Sequence, residues 1–370
     1  MAANDSALLA QYGIFVNPNG TYEVPLKNGL GLFTPTDGLT GENKANNTAY
    51  GNLLIWANAP QLCNLTVCDL SLAPFDYVPS IGGNSFYTAV FAIFVLINLI
   101  QGIRYKTWGY MVAMCLGLAG EVVGYVGRIL LWKTPFDPTG NDFLIYLVPL
   151  TISPALLTAA IYLCLGRIVV VYGENLSRFR PRTYTFIFCG FDLFSLVLQA
   201  LGGGIASGAK TYSQQQLGIH IMLAGLSFQV ISLAIFAVLC GEFAYRVWSN
   251  PNSWSRSHAH LYNSKLFKSF LIGLVVATVT IFVRSVFRVA ELSGGFDGPL
   301  ANDQVSFMIL EGAMIVIATS ALTFLNPGLC FQGGWEAANF KFGKKVIEAE
   351  MEMGGVSDSA ESVKPEHGRR

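Results

Sequence analysis

Several ionisable side chains in this chain sit inside stretches that are otherwise apolar, and their spacing groups them. Arg284, Arg288 and Glu291 stand at offsets of four and seven residues, which return side chains to nearly one face of a helix. Glu121, Tyr125 and Arg128 repeat those offsets in a second stretch, and Asp192, Ser195 and Gln199 follow offsets of three and seven in a third. Gln229 and Glu311 lie in two more. A charge at bilayer depth costs about 2.5–3.5 kcal/mol even on the lenient insertion scale, so each such group is expected to be functional or obligately paired. Buried carboxylates suit an ammonium headgroup or a proton. Guanidinium groups suit a phosphate, or serve to order the carboxylates. Four acids (Glu121, Asp192, Glu291, Glu311) face three arginines (Arg128, Arg284, Arg288), a near balance that points to pairing.

Each group also has a plainer reading. Gly120 and Gly124 form a small-xxx-small pattern, which suits a packing seam beside Glu121. Glutamines in spans commonly bond neighbouring helices, and His220 alone is more simply a hydrogen-bonded interface residue. Arg167 falls at a helix end, where snorkelling suffices to explain it. Pro149 and Pro154 interrupt a backbone hydrogen-bond ladder and are expected to bend their helix.

The elements that carry these residues are membrane spans. Charged residues make up 12% of the 370 positions and hydrophobic ones 52%, against about 25% charged in soluble domains. Apolar windows near 85–103, 108–131, 143–170, 184–206, 216–244, 267–291 and 304–326 each reach the roughly 20 residues that cross a bilayer. The fold class is therefore an all-α polytopic membrane protein, a seven-transmembrane helix bundle over residues 85–326. It is preceded by an irregular Asn-, Gly- and Pro-rich segment (1–84). It is followed by a tail (327–370) that opens on the helix stop Asn326-Pro327-Gly328 and is expected to be largely disordered beyond a short helix near 340–352.

Orientation follows from the basic residues. Arg104 and Lys106 follow the first span, Arg178, Arg180 and Arg182 the third, and Arg246, Arg256 and Lys265 the fifth, while the alternate loops hold only Lys133 and Lys210. The N-terminus is expected outside and the C-terminus in the cytosol. Sequons at Asn4, Asn19, Asn46 and Asn64 agree with an outer segment open to glycosylation. A disulfide between Cys63 and Cys68 is favoured there over two free thiols. Cys330, just past the last span, is read as an ordinary cysteine rather than an acylation site. Glycosidase treatment of the membrane-inserted protein is expected to lower its apparent mass. Unchanged mobility with a protease-protected N-terminal tag would reverse the orientation.

With that topology, most of the polar residues fall in the outer half and Glu121 and Asp192 near the middle, so a polar pocket opening outward is expected. A Walker-type phosphate loop is lacking, since the stretch from Gly203 to Lys210 has Ala209 before the lysine, and direct use of ATP is not expected. A seven-span receptor shares the helix count, but the third span ends without an acid-Arg-aromatic triplet and the seventh has no lysine for a retinal. A zinc hydrolase needs several histidines near one membrane face, and His220 is the only one within a span. Neither enzymatic activity, metal, cofactor nor nucleic-acid partner is expected.

The run Glu121-Val122-Val123-Gly124-Tyr125-Val126-Gly127-Arg128 resembles the fungal lipid-translocating exporter family, the RTA-like proteins named for resistance to aminocholesterol. The resemblance continues through Pro154, Tyr162 and Gly166-Arg167, then Asp192-Leu193-Phe194-Ser195 with Gln199 and Gly202-Gly203-Gly204, then Gly225 with Gln229. It ends on Arg284-Ser285-Val286-Phe287-Arg288-Val289-Ala290-Glu291 with Gly295, so that it covers residues 85–328. The family's His-Pro-Gly after the last span is Asn326-Pro327-Gly328 here. The resemblance implies seven spans in a fungal plasma membrane. It also implies translocation of amphiphilic lipids such as sphingoid long-chain bases, with tolerance of toxic lipids or drugs; a receptor-like regulator of lipid asymmetry is the alternative. On that reading Glu121, Tyr125, Arg128, Asp192, Ser195, Gln199, Gln229, Arg284, Arg288, Glu291 and Glu311 are the candidate substrate-handling residues, and the partners are membrane lipids and an amphiphilic small molecule.

Overall fold

The computed structural model describes the backbone of 15–16, 22–26 and 29–33, and residues 73, 75–136, 141–207, 212–254, 259–295, 298–331 and 335. The sequons, Cys63, Cys68 and the tail beyond Trp335 lie outside the described residues. Seven helices are long and apolar enough to cross a membrane. They are α1 (Ile81–Tyr105), α2 (Trp108–Lys133), α3 (Asn141–Tyr172), α4 (Pro181–Ser207), α5 (Tyr212–Ser249), α6 (Lys265–Ser293) and α7. The last begins as an α segment (Gln304–Ser306), passes through a π-helical turn (Phe307–Ala313) and resumes as an α segment (Met314–Phe324).

The first six helices overrun the apolar windows, most of all α5 with 38 residues and then α1 with 25. Hydropathy marks only what must lie in hydrocarbon, whereas backbone hydrogen bonding carries a helix past the interface for as long as its residues permit. Capping then fixes the ends. The Asp303 side chain accepts from the Val305 amide (3.0 Å) and the Ser306 hydroxyl at the start of α7. Those donors, Ser306 foremost, hold the half-buried Asp303 carboxyl below the usual carboxylate range. At the far end, Asn326 accepts from the Gly328 amide at 2.8 Å and opens one more short turn, Pro327–Cys330, so the expected helix stop is a stop followed by a restart.

The N-terminal segment departs from the expected irregular chain. Strands β1 (Phe15–Val16), β2 (Tyr22–Leu26) and β3 (Gly29–Phe33) form an antiparallel sheet in the order β1-β2-β3, with Glu23 opposite Phe15 and Leu32, and Leu26 opposite Gly29. The signal was present in the sequence: two short runs of alternating apolar residues meet at a Lys27-Asn28-Gly29 turn motif.

Consecutive helices pack as neighbours, α7 returns to α1, and α3 also touches α6. Burial identifies the central helix: 78% of the α3 core window is buried inside the protein against 22% for α1. Close approach to α3 comes from the glycines of α2. A Cβ on Gly124 would lie 1.8 Å from Leu150 Cδ1, and one on Gly127 would lie 2.6 Å from the Tyr146 backbone nitrogen. With Gly117 and Gly120 these form a stripe spaced by three and four residues that lets two backbones meet. Gly202 and Gly218 do the same between α4 and α5, since a Cβ on Gly202 would lie 2.6 Å from the Gly218 carbonyl oxygen. The Gly202-Gly203-Gly204 run therefore tightens one side of α4, while Gly204 faces open space.

Candidate functional site

The charged residues of α2, α6 and α7 meet in one buried centre. Pro154 has no amide hydrogen, so the carbonyl of Leu150, four residues earlier, loses its helical donor. Arg284 fills that place: its Nη2 donates to the Leu150 oxygen at 2.6 Å and also bonds Glu311 Oε1. One guanidinium thus ties α6 to the interrupted backbone of α3 and to the π-helical turn of α7. Arg288 Nη1 pairs with Glu291 Oε2 at 2.5 Å, one helical turn on. Both arginines are 6% exposed or less, and Glu311 is 1% exposed, so these are buried ion pairs.

Arg128 takes another solution. Its Nη2 donates to the Tyr77 hydroxyl at 2.7 Å, and its guanidinium carbon lies 3.8 Å from the Phe307 ring centre and 5.0 Å from that of Tyr146. Aromatic faces hold the positive charge where a carboxylate was expected. Glu121 is 1% exposed and faces the charges of Arg284, Glu311 and Arg288, yet its Oε1 has no hydrogen-bond partner among the described residues. Tyr125, one turn on, packs on Tyr87 (5.1 Å between ring centres) and beneath Gly312, and its hydroxyl is likewise unpartnered.

The polar residues of α4 divide between two neighbours. Asp192 Oδ2 accepts from Thr158 Oγ1 (2.8 Å) and the Tyr162 hydroxyl (3.0 Å), both on α3. Ser195 donates to the Gly225 carbonyl of α5 at 2.7 Å, and Gln199 Nε2 reaches Ser195 Oγ (2.6 Å) and Gln229 Oε1 (3.2 Å). The single polar face expected from spacing is real, but it lies at the junction of α3 and α5 and serves both. No cation pairs with Asp192 among the described residues, and its Oδ1 is buried without a partner, as is Oε1 of Gln199.

The polar pocket expected to open outward is not where the space is. Beside Arg288 and Glu291 the cavity is only about 20 Å³, room for one water. Pairing and aromatic packing have closed the charged centre. The large cavity, about 710 Å³, is an apolar cleft between α3 and α4, closed on its far side by Gln215 and Met222 of α5. Leu147, Thr151, Leu196 and Gly203 line it, and of the eleven candidate residues it is lined by Gln199 alone. Asp192 stands on the same helical stripe, seven residues before Gln199, which places it about 10 Å from Gln199 along the helix axis toward the start of α4.

At the other end of the bundle, Arg167 does not snorkel. It is 8% exposed, and its guanidinium carbon lies 3.4 Å from the ring centre of Trp335, which also packs on Phe331 and Tyr110. Cys330 is fully buried there, which agrees with an ordinary cysteine. His220 is exposed on the outside of α5 and takes no part in either polar group. Several contributors could not be named from spacing: the Leu150 carbonyl, for which Pro154 was the available signal, and Thr158, Tyr77, Tyr146 and the π-helical turn. Among the described residues, no group of three or more His, Cys, Asp or Glu could hold a metal ion.

The family model described as RTA1-like protein matches residues 114–334, a span that includes both polar groups and the cleft between α3 and α4. The chain belongs to the RTA1-like family. The sphingoid long-chain base transporter RSB1 of Saccharomyces cerevisiae is 34% identical over 284 residues, covering 69% of this chain and 74% of the relative. Protein RTA1 of the same yeast is 27% identical, covering 68% of this chain and 85% of its own. The yeast protoporphyrin uptake protein 1 is 29% identical over 216 residues, 57% of this chain and 67% of its own. No solved structure matches the chain significantly. The RTA1-like match spans α2 to α7 and leaves α1 and the N-terminal sheet outside it.

Proposed function

We propose that this RTA1-like protein moves a cationic amphiphile, a sphingoid long-chain base or a lipid like it, between the leaflets of a fungal plasma membrane. The observation that carries the reading is the cleft between α3 and α4. It is apolar, its volume of about 710 Å³ falls in the roughly 300–1,000 Å³ range of small-molecule sites, and its stripe on α4 continues to an unpaired buried carboxylate. An alkyl chain lying along Leu147, Val148, Ile152 and Ala200 would leave its polar end pointing along that stripe. There Gln199 offers a free acceptor and Asp192 a negative charge, matching the hydroxyl and ammonium groups of a long-chain base.

The names of two relatives support an amphiphilic cargo, and the first of them a cationic one. One is called a transporter of a long-chain base and another an uptake protein for a porphyrin, each a large apolar body with ionisable groups. Movement in this reading is transfer along a groove rather than chemistry, so the protein acts as a carrier and not as an enzyme.

The test is transfer of a labelled sphingoid base between leaflets of liposomes holding the purified protein. The wild type is expected to speed transfer well above protein-free liposomes. Gly204→Trp should slow it severalfold at unchanged folded yield, because Gly204 lines the cleft and a side chain there meets open space. No acceleration by the wild type overturns lipid transfer. Full acceleration by Gly204→Trp overturns the cleft as its route.

A further inference from the structure

We propose that Glu121 is a proton-binding site that couples lipid movement to a proton gradient, an inference that rests on the transport reading above. Glu121 lines neither cavity. Among the charged centre's acids, Glu311 has Arg284 and Glu291 has Arg288, whereas Glu121 has no ion pair of its own among the described residues. Buried polar atoms of this centre without partners among the described residues are Glu121 Oε1, the Tyr125 hydroxyl and Glu311 Oε2, together with Nε of Arg284 and Arg288 and Nε and Nη1 of Arg128. An ionised Glu121 can only accept, and so leaves Oε1 buried without a donor, a costly arrangement. A proton on that oxygen turns it into a donor, which Glu311 Oε2 or the Tyr125 oxygen can accept.

The opposing effect is charge. With Glu121 ionised, three acids balance Arg128, Arg284 and Arg288; with Glu121 protonated, the centre carries one net positive charge. The aromatic cage of Arg128 is built to hold that charge. Ionised, the group lacks a donor; protonated, it lacks a counter-charge. The two costs oppose each other, which is what a residue that must both take up and release a proton requires. The groups facing this site are Tyr125 and Arg128 on its own helix, Arg284, Arg288 and Glu291 on α6, Glu311 on α7, Tyr87 on α1 and Tyr146 on α3.

The route from proton to lipid runs through α3. Arg284 holds the Leu150 carbonyl at the Pro154 interruption, and the neighbouring residues Leu147 and Thr151 form one wall of the cleft. In each cycle a proton joins the Glu121 carboxylate to form its O–H, and the same proton leaves toward the other side; no other bond changes. Gain of the proton weakens the negative field that helps position Arg284, and so loosens its hold on α3 where that helix has lost a hydrogen bond.

Two measurements test this. In proteoliposomes, with protein-free liposomes subtracted, an imposed pH gradient is expected to change the wild-type rate of labelled sphingoid-base transfer severalfold. Glu121→Gln should transfer at the same rate with and without the gradient. A wild type that transfers lipid but ignores the gradient, or a Glu121→Gln protein that keeps the full response, overturns the proposal. Separately, a pH-difference infrared spectrum of the solubilised protein should contain a protonated-carboxyl C=O band that disappears in Glu121→Gln. Its absence from the wild type overturns the proton site without reference to transport. The band together with no lipid transfer would overturn the transport reading instead.

Discussion

Arg284→Ala is expected to cost the protein about 3–5 kcal/mol of stability, the usual penalty when one partner of a buried ion pair is removed and the other is left behind. Two groups lose their donor at once: the Glu311 carboxylate, 1% exposed, and the Leu150 carbonyl that Pro154 has already deprived of its helical bond. Folded yield in detergent should fall sharply and thermal unfolding should begin at lower temperature. Arg284→Ala combined with Glu311→Ala should recover much of the loss, because the uncompensated charge goes with it. A single variant that melts with the wild type would mean that water already serves Glu311, and the centre would then be wet rather than closed.

The same physics separates what the amino-acid order disclosed from what it concealed. The seven spans were legible because each needs about 20 apolar residues and nothing else in the chain resembles that. The pairing of Arg288 with Glu291 was legible because an offset of three residues fixes it on one helix. Asp192, Ser195 and Gln199 were read correctly as one stripe, but spacing gives the face of a helix and not the neighbour that covers it. Asp192 turned out to bond α3 while its companions bond α5.

Other features have no local signature. A cleft is a place where two helices part, and no residue type encodes a void; Gly203 and Gly204 were visible as glycines but not as its lining. The π-helical turn at Phe307–Ala313 has no proline to announce it. Arg167 at a helix end suggested snorkelling because Trp335, its actual partner, is 168 positions away in the chain. In each case the missing information was long-range packing, which periodicity does not carry.

Asp192→Asn is expected to abolish handling of cationic amphiphiles while leaving the fold intact. The variant keeps the shape of the side chain, and its Oδ1 can still accept from Thr158 and Tyr162 as the carboxylate does now. What it loses is the charge. Breaking a buried, hydrogen-bonded charge pair costs about 2–5 kcal/mol, and even the lower figure is roughly a thirtyfold loss of affinity. Binding and transfer of a labelled long-chain amine should therefore fall at least that far. A long-chain alcohol of the same length, which needs only the apolar cleft and the Gln199 acceptor, should be handled nearly as before. That contrast distinguishes a headgroup site from a structural acid, since a packing role would not separate the amine from the alcohol. Equal losses for both lipids would make Asp192 a helix fastener between α3 and α4. No loss for either would leave the cleft without its charged end, and the headgroup would have to be sought elsewhere in the bundle.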